Sequence, residues 1–200
     1  MREHFIRSIK RWFDSSIEPT PEESEQYPGV DFIRIVPFIL LHLGCLGLIW
    51  VGFSWTALGV ALGLYLIRMF AITGFYHRFF SHRTFKTNRF FQFLFAVLGN
   101  ASVQRGPLWW AAHHRHHHQF SDRPEDEHSP VRHGFWFSHV GWFTTLKNFR
   151  TKTERVGDWA RYPELRFLDR HCMFVPLLLL VSLYAAGELL AAYAPATGTS

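Results

Sequence analysis

The 200 residues fall into polar and apolar blocks. Residues 1–35 are polar, carry charges of both signs and contain Pro19, Pro21 and Pro28, which predicts a partly disordered N-terminal arm with no signal peptide. Apolar runs long enough to cross a bilayer then occupy about 36–53 and 54–76, split only by the turn-like Gly52-Phe53-Ser54-Trp55. They predict a helical hairpin in the membrane. A third such run covers 172–194, before a short tail at 195–200. The run Phe90 to Gly99 is too short to span and suits a buried or interfacial helix. The expected fold class is an all-α membrane protein: a helical hairpin plus a third transmembrane helix, with a cytosolic His-rich helical region between spans 2 and 3. One domain is expected over 36–194, preceded by the arm.

Charge refines this topology. The formal net charge of +5 invites a nucleic-acid reading, but the distribution argues for a membrane and no nucleic acid. Arg2, Arg7, Lys10, Arg11 and Arg34 precede or open the first span. Fifteen Lys and Arg lie between His77 and Arg170, and none lies in the 52–55 turn or after 172. Positive charge stays on the cytoplasmic side. The N-terminus and the central segment are therefore expected in the cytosol, the turn and C-terminus outside, and the basic segment against anionic lipid head groups. Arg68, inside the second span, is expected to face the polar end of the bundle. Cys45 and Cys172 both sit in or at apolar runs and read as small buried hydrophobes rather than a disulfide.

Histidine carries the candidate chemistry. Where the second span ends, His77 and His82 stand five apart, which on a regular α-helix separates them by about 140°. They face one ion only if the helix ends or unwinds between them, and the poorly helical Thr84-Phe85-Lys86-Thr87-Asn88-Arg89 that follows suggests an ending. Further on, Trp109 to Phe120 holds five histidines. Two overlapping trios of form His-x-x-His-His fit: His113, His116, His117, or His114, His117, His118. Either presents three imidazoles within an arc of about 100°, so spacing does not choose. Imidazole donors without thiolate suit iron, copper, zinc or nickel, and so many at a membrane face point to redox chemistry with oxygen more than to structural zinc.

The segments His77-Arg78-Phe79-Phe80-Ser81-His82-Arg83, His114 to Asp122 and Gly134 to Trp142 together resemble the membrane fatty-acid desaturases of the acyl-CoA desaturase type, in a bacterial-like form, over roughly residues 36–190. The resemblance implies a di-iron centre held by histidine boxes on the cytosolic face. It also implies O2-dependent removal of two hydrogens from a CoA- or lipid-linked fatty-acyl chain, leaving a cis double bond. It further implies an integral membrane protein, here of a bacterial inner membrane. The family's second box is His-Arg-x-His-His, followed after one residue by an aromatic and Ser or Thr. Only His114 onward, with Gln119-Phe120-Ser121, matches that pattern. The implied iron ligands are thus His77, His82, His114, His117 and His118. His116 is then an extra histidine, and His128 and His139 are candidates to orient ligands from behind. Asp122, Glu125, Asp126 and Glu127 are candidates to accept ligand N–H bonds in the same way, though most of them are expected as solvated loop charges. Ala112 and His113 depart from the animal acyl-CoA enzymes, which carry Arg and Asp there.

The family also carries a fourth span and a third His-x-x-His-His box, whereas no histidine follows His171. The expectation is a C-terminally truncated desaturase, or one part of a split one, binding at most about one iron per chain. The alternative is a non-catalytic metal-binding membrane remnant. A sterol-desaturase or hydroxylase relative is disfavoured by the spacing of His77 and His82. No haem, flavin or Cys-rich iron–sulfur motif occurs, so electrons are expected from a separate donor protein.

Overall fold

The computed structural model of the protein describes residues 2–27 and 29–199. The chain is helical, and the one extended pairing among the described residues is an isolated antiparallel bridge between Val30 and Thr145. The N-terminal arm, expected to be partly disordered, instead forms two helices, α1 (Arg2–Phe13) and α2 (Pro21–Gln26). The reason is local. Thr20 and Glu23 close a capping box around Pro21, and Glu23 takes the Arg11 guanidinium at 2.6 Å and the His4 ring at 2.9 Å. Charges that read as solvated are used to staple α1 to α2. The arm docks further through Ser15, whose backbone N–H and hydroxyl donate to the carbonyls of Arg170 and Asp169.

Three helices are long and apolar enough to cross a membrane: α3 (Phe32–Val51), α4 (Trp55–Ser81) and, later, Phe174–Tyr193. Asp31 caps α3 by accepting from the N–H groups of Ile33 and Arg34. The helix ends at Gly52, whose φ of 73° lies in the left-handed region open to glycine. Ser54 then caps α4. Arg68 bonds back to the Leu64 carbonyl within α4. Cys45 is exposed, Cys172 is buried, and both are free.

Between the second and third spans lie α5 (Arg89–Asn100), α6 (Pro107–Phe120) and α7 (Pro163–Arg170), with α8 (Phe174–Tyr193) completing the chain. The end of α4, α5, α6 and α7 enclose one core of Tyr76, Phe79, Phe80, Ala96, Leu108, Trp159, Leu165 and Leu168. Gly99 of α5 lies against the Tyr76 ring, where a Cβ would overlap it, so close packing of α5 on α4 requires glycine. α5 buries Ala96, Gly99 and Asn100 and leaves Phe90, Phe91 and Phe93 outward, as a short half-buried helix should. The spans themselves are uncovered: the apolar windows of α3, α4 and α8 are 0%, 6% and 6% buried. Their outward faces are built for hydrocarbon. At the far end of the molecule the Ser54 hydroxyl donates to the Thr197 carbonyl at 2.8 Å, so the hairpin turn and the end of α8 share that end.

Candidate metal centre

The last eleven residues of α4, Ala71–Ser81, wind as a π-helix. Its i→i+5 hydrogen bonds bring residues five apart onto one face, where an α-helix would set them about 140° apart. The His82 N–H donates to the His77 carbonyl at 3.1 Å, and the two Nε2 atoms lie 3.2 Å apart. The sequence expectation of an ending or unwinding between these residues is met: the helix widens into a π-helix that ends at Ser81, with His82 as its C-terminal cap.

α6 supplies the facing side. Pro107 opens it, and the buried carboxylate of Asp169 on α7 accepts the Trp109 N–H at 2.8 Å and the Thr151 hydroxyl at 2.7 Å. Burial raises the Asp169 pKa, opposed by the hydrogen bonds from Thr151 and the start of α6. From α6, His114 Nε2 comes to 3.2 Å from His82 Nε2, and His118 lies one turn on. A ligand atom from each of His77, His82, His114 and His118 lies within 4.8 Å of every other. Trp110 stacks on the His114 ring at 4.6 Å and packs beside Tyr76. Burial first, then the neighbouring rings of His118, His77 and His82, hold His114 down at about 3. His82 and His118 are lowered for the same two reasons. All three are thus neutral imidazoles at physiological pH, each with a lone pair to give. Four imidazoles converging without an acid among them form a binding site for a borderline transition-metal cation.

The rival trio disperses. His113 is buried and donates from Nδ1 to Glu127 at 2.6 Å, and His116 donates to the Glu125 carbonyl.

The model of the fatty acid desaturase family matches residues 30–198. The chain belongs to the fatty acid desaturase family. It is 38% identical over 166 residues to a palmitoyl-monogalactosyldiacylglycerol delta-7 desaturase of Arabidopsis thaliana, covering 81% of this chain and 44% of that one. It is 35% identical over 185 residues to an acyl-CoA 5-desaturase of Anemone leveillei, covering 88% and 57%. An sn-1 stearoyl-lipid 9-desaturase of Anabaena variabilis is 35% identical over 164 residues, covering 80% and 60%. The chain thus spans about half the length of the relatives it matches. It belongs to an enzyme family of oxidoreductases.

In this chain the fifth expected ligand, His117, turns aside. It joins a second group with Asp126 and His128, whose ligand atoms again lie within 4.8 Å of one another. His117 donates from Nδ1 to both Asp126 oxygens at 3.0 Å, which leaves Nε2 as its free donor. Asp126 thus takes the ligand N–H that the sequence allowed it rather than the solvated position expected of most of these acids: it is buried and also accepts the N–H groups of Asp122 and His128. Burial alone would raise its pKa, and the His117 hydrogen bond with those two N–H groups overrides this and lowers it. Glu127 is likewise internal, paired with His113, while Asp122 and Glu125 stay exposed. The His128 ring packs on His117 and Trp142. His139 stacks on Phe135, and among the described contacts nothing joins it to either group. Sequence reading missed Arg115, Asp158 and Asp169, which hold the boxes in place. Their partners lie 34 to 60 residues away, beyond any local signal.

Proposed function

We propose that this protein serves O2-dependent desaturation of fatty-acyl chains, introducing a cis double bond, with iron held by His77, His82, His114, His117 and His118. The observation that carries this is the four-histidine group at the end of a membrane-length helix in a chain of the desaturase family. Nitrogen-only donors admit several metals, and the family tips the choice to iron, as a pair in the complete site. Iron bound there would supply the oxidising power, drawn from O2 and two electrons, to remove two hydrogens from an unactivated acyl chain. The chain's own residues do the holding. His77 and His82 approach from α4, His114 and His118 from α6, and Asp126 fixes the tautomer of His117 so that Nε2 is presented. Trp110, packed on Tyr76, walls the inner side of the group at His114, while His82 and His118 stay open to the exterior. His128 supports His117 from behind, and His139 is a weaker candidate for such a role.

The substrate is proposed as a fatty-acyl chain linked to CoA or to a lipid. His113 is spent internally on Glu127, so it offers nothing to a CoA head group, which supports the lipid-linked carrier. Residues 36–194 form the partial desaturase domain. The histidines lie on the cytoplasmic side of a bacterial inner membrane, near lipid head groups, and electrons come from a separate donor protein. A second reading, a metal-binding part that acts only with a complementary chain, is favoured by the nearly complete exposure of the spans.

Expression in a desaturase-deficient host, followed by fatty-acid analysis, separates these readings. Unsaturated product from the 200-residue chain alone supports the first. Product only when the C-terminal half of a relative is co-expressed supports the second. Bound metal with no product in either case overturns desaturation.

A further inference from the structure

Arg115 lies on α6 next to His114, yet its side chain leaves the histidine group and crosses to the end of α4. There Nε donates to the Ser81 carbonyl at 3.0 Å and Nη2 to the Phe80 carbonyl at 2.7 Å. Nη1 donates to the Arg155 carbonyl at 3.0 Å, and both terminal nitrogens grip Asp158, at 2.8 and 3.0 Å. A guanidinium has five N–H donors, and these five bonds use them all. None remains for a substrate or an anion.

The acceptors matter. Helix-terminal carbonyls have no partner within the helix. Phe80 and Ser81 immediately precede His82, and their carbonyls are taken by a side chain from the other histidine helix. Trp159 adds a second donor to the Phe80 carbonyl at 2.8 Å. Asp158 also pairs with Arg83 at 3.5 Å, on the far side of His82. His82 is thus bracketed at 81 and 83 by one network whose centre stands beside His114.

We propose that Arg115 is a positioning residue that sets the separation of the two histidine boxes, holding His82 and His114 at a spacing one metal ion can bridge. The metal part rests on the four-histidine group being a metal centre. The spacing part does not, and both can be measured. Lysine keeps the charge but cannot reproduce a planar fork.

The test uses the full chain in detergent micelles with Co(II) as the probe. Arg115→Lys should weaken Co(II) binding about 10- to 100-fold, the usual effect of removing a group that orients ligands, and should change the visible absorption of bound Co(II). Asp158→Asn should act in the same direction. Arg89→Gln, which breaks an exposed pair with Glu164, should change neither. Without metal, a Cys45→Ser, His82→Cys, His114→Cys chain treated with a short bifunctional thiol reagent should cross-link efficiently, and adding Arg115→Lys should lower the yield several-fold. Wild-type affinity, spectrum and cross-linking in Arg115→Lys would overturn the proposal, as would equal losses in Arg89→Gln. If Arg115→Lys loses helix content, Asp158→Asn carries both measurements. If the wild-type chain binds no Co(II) but cross-linking still depends on Arg115, the metal reading fails and the spacing role stands.

Discussion

His113 and His114 are adjacent on one helix and end in opposite environments. His113 enters the core against Glu127 and Trp109, and His114 joins the metal-sized group. Changing His114 to Ala should therefore remove most of the metal bound by purified protein, while changing His116 to Ala should remove little. Metal content by mass spectrometry checks this, and equal losses would show that the register is misassigned. His113→Ala should act differently, leaving metal in place but stranding the Glu127 carboxylate, at a cost of about 1–3 kcal/mol in thermal unfolding. Spacing left the two trios equivalent because both have the same internal geometry on a helix. What separates them is tertiary: a carboxylate from the 122–128 loop on one side and the histidines of α4 on the other. The sequence allows Asp126 either a solvated loop position or a ligand N–H to accept, and only its burial against His117 separates the two, which nothing in its neighbourhood encodes.

Among elements, the spans were legible as apolar windows, and their observed limits differ from the expected ones by a few residues. The π-helical end of α4 was not, because side-chain polarity does not report which carbonyl a backbone N–H will choose. Deleting Ile72 should return this segment toward α-helical winding, where residues five apart stand about 140° apart, and so turn His77 away from His82. Metal binding should disappear while far-UV helix content persists. The arm shows the reverse failure. Thr20-Pro21-Glu22-Glu23 is a capping-box pattern that would have located α2, but the mixed charge hid it. Burial would raise the Glu23 carboxyl, yet hydrogen bonds from Arg11 and His4 override it and hold the pKa at about 2 against an ordinary 4.5. A lowered carboxylate pKa stabilises the folded arm fully above about 4.5, and that contribution is lost as pH falls toward 2. Limited proteolysis should show the arm releasing across this window, with Glu23→Gln releasing it at neutral pH.

For the molecule as a whole, the hydrogen bond from Ser54 to Thr197 puts the hairpin turn and the end of α8 together, away from the histidines. With the proposed sidedness, a cysteine replacing Thr199 should react with an impermeant thiol reagent in intact cells. Labelling only after lysis would reverse the topology. The packed head and the bare spans should also answer differently to the same truncation. Leu168→Ala, in the core, should cost about 2–5 kcal/mol. Leu180→Ala, on the outward face of α8, should cost far less, since lipid tails are as apolar as leucine and fill the space its isopropyl group leaves. Acyl-chain length of the surrounding detergent should then shift the melting temperature more than most single substitutions in the spans. With so little of the three spans covered, the surrounding amphiphile is in effect a packing partner: whatever replaces the bilayer during purification touches more of α3, α4 and α8 than the rest of the protein does.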